Sequence, residues 1–138
     1  MRKIKIHMHA ISVHFANGLI PTSLLFLFLF LLTGNPDLEK AVFFTLLVGT
    51  AGIFATLVTG LVEWRKDYQG AWVPVFKKKL FLGLLALVAG LGASALRWLF
   101  PQLLYTAEPL SWLFVLLELL CCGAAAWAGY LGGRLVFH

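Results

Sequence analysis

Charge is scarce in this chain, and negative charge scarcer still. Charged residues make up 12% of its 138 positions, and six of them are acidic. Soluble domains typically carry about 25% charged residues. With 61% hydrophobic residues and a mean hydropathy of +0.91, a water-soluble core of this length could not hide the apolar surface, so lipid must be the solvent for much of it. Cysteine is almost missing too. Cys121 and Cys122 are neighbours in an apolar run, which fits no spaced metal motif, and a disulfide between them would be strained. Few carboxylates and no cysteine near a histidine disfavour zinc. No hydrolytic or phosphoryl-transfer constellation is present. A small-residue cleavage site is also lacking behind the basic start MRKIKIH, so that start is expected to be retained.

What is present is a set of long apolar runs. A spanning helix needs about 20 mostly apolar residues, and four stretches qualify, at 11–33, 40–63, 80–100 and 111–137. TGNPDLE separates the first two, and Pro101 stops the third. Short connections make the paired helices antiparallel. The fold expected is all-α, one transmembrane domain built as a four-helix bundle.

Lysine and arginine set the expected orientation. Nine lie at one end: Arg2, Lys3, Lys5, Arg65, Lys66, Lys77, Lys78, Lys79 and Arg134. Lys40 and Arg97 lie at the other. Both termini are therefore expected in the cytoplasm, with the protein multi-pass in the inner (cytoplasmic) membrane. The net charge of +5 then informs orientation rather than nucleic-acid binding. In the 64–79 loop, Trp64, Tyr68, Trp72 and Phe76 recur every fourth residue, suiting an aromatic anchor at the headgroups. Gly70 and Pro74 argue against one unbroken helix there.

Small and polar residues form stripes that let helices approach closely in lipid: His14, Asn17, Gly18 and Pro21 on the first span, Thr45 through Glu63 on the second, Gly83 through Arg97 on the third, and Glu118 through Gly133 on the fourth. Three of four histidines fall within HMHAISVHF, and the fourth is His138. Imidazoles at membrane depth suggest metal ligation. His9 and His14 point roughly 140° apart on a helix, so one helix cannot supply both axial ligands of one iron. A b-type haem held by His14 and His138 is the expectation, with His9 in reserve, His7 weaker and Gly18 against the macrocycle. Arg65, Lys66 and Arg134 are candidate propionate partners.

Three stretches carry a resemblance: HAISVHF (His9 to Phe15), GLVEW (Gly60 to Trp64) and YLGGRLVFH (Tyr130 to His138). Together they resemble an uncharacterised family of small bacterial four-helix membrane proteins, a domain of unknown function. Members open with a His-Pro-x-x-Val-His-Phe-Pro motif and end the second span with Gly-x-x-Asp/Glu-aromatic. They close with Gly-Gly-x-Leu-Val-Tyr/Phe and a nearby histidine. Here Ala10 replaces the first proline, and FKKKLFLG lacks the histidine that members often carry early in the third span. The resemblance implies a cytoplasmic-side site built from spans one, two and four.

The expected function is electron transfer by a membrane haem protein, exchanging electrons with quinone and working as a subunit of a larger redox assembly or a homo-oligomer rather than as an enzyme alone. A cofactor-free scaffold subunit and a small oligomeric transporter are the alternatives. Glu118, seven residues into span four, is the one further buried ionisable group expected, paired with Arg97.

Overall fold

The computed structural model describes residues 7–137 and is all-helical. It comprises α1 (Met8–Thr33), α2 (Pro36–Asp67), α3 (Pro74–Leu99), a single 3₁₀ turn at Leu103–Tyr105, and α4 (Pro109–Phe137). All four helices are long and apolar enough to cross a membrane.

Local chemistry sets the ends. Gly34, at φ 66°, closes α1 in the left-handed region, and its N–H donates to the Phe30 carbonyl at 2.7 Å. The Asn35 side chain then caps α2 by accepting from the Asp37 N–H at 3.0 Å, with Pro36 in the first turn and Asp37 and Glu39 at the positive end of the helix dipole. α2 and α3 run past the apolar stretches that define their spans. The 64–79 loop therefore shrinks to a turn around 68–73, because helical bonding continues into polar sequence until Gln69 and Gly70 turn left-handed at φ 50° and 73°. The chain does break at Gly70 and Pro74. The turn is held by Trp64, whose Nε1 donates to the Ala71 carbonyl at 2.7 Å. Trp64 also stacks on Phe76 at 5.0 Å and packs on Trp72 at 4.6 Å, while Tyr68 stays exposed.

α1 packs chiefly on α2 and α3 chiefly on α4; α2–α3 and α1–α4 contacts close the ring. Small residues make the close approaches. A Cβ on Gly49 would fall 2.7 Å from Ile20 Cδ1, and one on Gly90 would fall 2.5 Å from Thr50 Oγ1. Ile20, Leu27, Val42, Leu46, Ala93 and Phe114 fill the core, while Phe28, Phe54, Val88 and Trp98 are exposed on the surface that lipid would cover.

One stripe is corrected. His14, Gly18 and Pro21 face outward, and α1 turns Ala16, Ile20, Ser23, Leu27 and Phe30 inward instead. Because α1 is apolar all round, its rotation follows shape: Ile20 seats in the notch at Gly49, and Phe15 and Ala16 lie over Gly52.

Candidate functional site

Three polar regions lie within the bundle among the described residues. The first is at the basic end, where the N-terminus of α1 meets the C-terminal half of α2. His9 is half-buried, with Nδ1 3.1 Å from the Thr56 carbonyl and 3.3 Å from Thr59 Oγ1. The Thr59 hydroxyl spends its hydrogen on the Ala55 carbonyl at 2.8 Å. Only acceptors therefore face Nδ1, so in the neutral ring Nδ1 carries the hydrogen and Nε2 the lone pair. The ring packs against Gly60, where a Cβ would sit 3.0 Å from His9 Cε1. His7 Nδ1 is 3.8 Å from Glu63 Oε1, and Lys79 reaches across to Gly132, where a Cβ would lie 3.2 Å from its Nζ. Asn17 and Gly129 meet one layer further in.

The second region is in the interior. Glu118, on α4, is 0% exposed. Ser23 Oγ lies 2.5 Å from its Oε1 and 3.0 Å from the Val42 carbonyl. Among the described residues, Glu118 Oε2 has no hydrogen-bond partner, and neither has Ser94 Oγ on α3. Cys121, also fully buried, lies one turn along α4 and packs against Gly90.

The expected Glu118–Arg97 pair does not form. In the third region Arg97 instead grips Glu39 on α2, Nε to Oε1 and a terminal nitrogen to Oε2 at 3.1 Å, and its guanidinium lies 4.9 Å from the Phe43 ring centre. Arg97 and Glu39 lie near the same end of adjacent helices, whereas Glu118 sits deeper. The planar fork matches a carboxylate in two-point contact. Glu39 is 2% exposed, so it is a second buried carboxylate that the sequence reading missed. The signal available was its place in the first turns of α2, at the end that Arg97 also occupies.

Of the two expected axial ligands, His14 and His138, the structure describes His14. His14 and Gly18 are exposed, and nothing lies within 4 Å of a Cβ on Gly18. His138 lies outside the described residues. Arg65, Lys66 and Arg134 are exposed at the basic end. Among the described residues no three of His, Cys, Asp or Glu gather as a metal site. A groove of about 480 Å³ runs along α1 and α4, lined by Pro21, Leu24, Phe28, Val115 and Leu119 among others, with no histidine.

Residues 5–138 match the model of the family described as "Predicted membrane protein (DUF2231)". The chain belongs to this family. Its description carries no activity, and comparison with curated proteins and with solved structures found no match. The fold does explain how stretches far apart in sequence form one place. His9 of the first stretch rests on Gly60 of the second, Glu63 faces His7, and Gly132 of the third takes Lys79.

Proposed function

We propose that this family member is a proton-exchanging protein of the inner membrane, centred on Glu118, with the lysine-rich end in the cytoplasm and working in proton-coupled transport as an assembly of several copies. The Ser23–Glu118 contact carries the reading. A serine hydroxyl has one hydrogen, yet Ser23 stands at bonding distance from both Glu118 Oε1 and the Val42 carbonyl. With Glu118 ionised, one contact would lack a proton. With Glu118 protonated, the line is complete: the carboxyl donates to Ser23, and Ser23 donates to Val42. No basic side chain bonds Glu118 among the described residues, and an unpaired carboxylate at this depth is costly. Losing the proton therefore has to be coupled to compensation, which is what a proton-coupled carrier needs. Four helices enclose little space, so several copies are required to build a path.

The test is dissipation of an imposed proton gradient in proteoliposomes holding a pH-sensitive dye. Glu118→Gln is expected to abolish the flux, and His14→Ala to leave it at the parent rate. Flux in Glu118→Gln equal to the parent's overturns the reading, as does a parent that passes no protons.

His9 supports a second reading, b-type haem with electron exchange to quinone and partner redox subunits. Its Nδ1–H is tied to a backbone carbonyl, which fixes the ring and leaves Nε2 free, as ligand histidines are commonly oriented. His138 would have to supply the second ligand. A Soret band in purified protein that His9→Ala removes supports haem; a spectrum without one overturns it.

A further inference from the structure

Hydroxyls in these helices have a habit. Those of Ser12, Thr22, Thr45, Thr50, Thr56 and Thr59 each donate to the carbonyl four residues back, which satisfies a hydroxyl without help from another helix. Three serines break the habit. Ser111, in the first turn of α4, bonds the Leu103 and Thr106 carbonyls ahead of its helix; the other two, Ser23 and Ser94, flank Glu118. Ser23 reaches across to the carboxyl itself. Ser94 is 6% exposed, and its hydroxyl bonds nothing among the described residues.

The register of α3 against α4 places Ser94 beside Glu118. A Cβ on Gly90 would lie 3.3 Å from Cys121 Sγ, and one on Gly92 would lie 3.4 Å from Leu117 Cδ1. The helices are antiparallel, so Ser94 falls within one turn of the level of Glu118. The same layer thus holds two orphaned buried atoms, Ser94 Oγ and Glu118 Oε2. They make no direct bond. Orphaned polar atoms of this kind call for a small hydrogen-bonding ligand, and water can serve both because it donates and accepts.

We infer that one water molecule bridges Ser94 Oγ and Glu118 Oε2 and opens Glu118 to protons from the Glu39–Arg97 end. The inference rests on the proton-exchange reading of Glu118. Ser94 and Arg97 are three residues apart, on one face of α3, so the part-buried Arg97–Glu39 pair is the next polar group outward along that face. Toward the basic end the layer below Glu118 is Ile20, Ile53, Ala86 and Cys121, all buried, with the Thr50 hydroxyl turned back to its own helix. In the transfer, the carboxyl O–H, turned to face the water, breaks. The water takes that proton and gives up one of its own hydrogens to solvent water at the Glu39–Arg97 end. The Ser23 hydroxyl swings from Val42 to the carboxylate that remains. Reprotonation runs the same steps in reverse.

Infrared spectroscopy in reconstituted membranes tests this. The C=O band of the neutral Glu118 acid is the one that Glu118→Gln removes. In Ser94→Ala, a small change well suited to a helix, the band is expected to move to higher frequency and its exchange in D₂O to slow several-fold. Ser12→Ala, whose hydroxyl serves its own helix at the far end of α1, should leave both unchanged. A band in Ser94→Ala that coincides with the parent's and exchanges as fast overturns the bridge. In vesicles sorted by protease access to the 68–73 turn, the band should follow the pH of the opposite face; a response to the pH of the turn's own face overturns the access route. A shifted band alongside undiminished proton flux in Glu118→Gln would sink the functional reading and leave the water standing.

Discussion

The two ends of the bundle carry their charges in opposite ways. At one end Glu39 and Arg97 are locked in two-point contact, with side chains 3% and 16% exposed. At the other, His7 and Glu63 approach no closer than 3.8 Å with 61% and 30% exposure, and His9 leans on a carbonyl and a hydroxyl. The first end welds α2 to α3. The second leaves its groups oriented but wet. The difference follows from depth: a charge inside the apolar layer must bring its own partner, while one near the headgroups keeps water. Glu118 fits neither pattern. It is as buried as Glu39 but has a serine where Glu39 has a guanidinium, so a proton is what can neutralise it.

Breaking the welded end should cost most. Arg97→Gln leaves the Glu39 carboxylate buried and unpaired, and stability in detergent is expected to fall by about 3–5 kcal/mol. Adding Glu39→Gln should recover a good part of that, since the orphaned charge is removed as well. A double mutant as unstable as Arg97→Gln alone would mean that the two residues hold the helices independently. The wet end should give less. His9→Ala loses hydrogen bonds from a half-buried ring and is expected to cost about 1 kcal/mol. A loss matching that of Arg97→Gln would erase the contrast between the ends. Smallest is His14→Ala, on the outer face, expected within about 0.5 kcal/mol of the parent in thermal unfolding. A larger loss would show that the outer face of α1 is covered, by a second copy or by a partner helix.

These rankings could not have been drawn from the sequence. His14 stands among small residues at helical spacing, and that pattern pointed inward; the helix turned it out. Arg97 and Glu118 stand on helices joined by a short connection, and that pointed to a pair; the neighbouring α2 offered Arg97 a carboxylate at a better level. Ser94 sits on the predicted stripe of α3 beside Gly90 and Arg97, but nothing local distinguishes it from the serines and threonines that bond their own helix.

The sequence by itself determined that this is a four-span membrane protein, where its turns fall and which end is basic. Those properties depend on the length and composition of each segment and on residues such as Asn35, Pro36 and Gly34 acting within one turn. Only the tertiary structure decided which face of each helix looks inward, and hence that Arg97 meets Glu39, that His9 rather than His14 enters the bundle, and that Glu118 meets Ser23. The physical reason is that helices apolar all round carry almost no hydrophobic preference for one rotation. In lipid their rotation is settled by which side chain fits which glycine notch and by where each buried polar atom finds a partner.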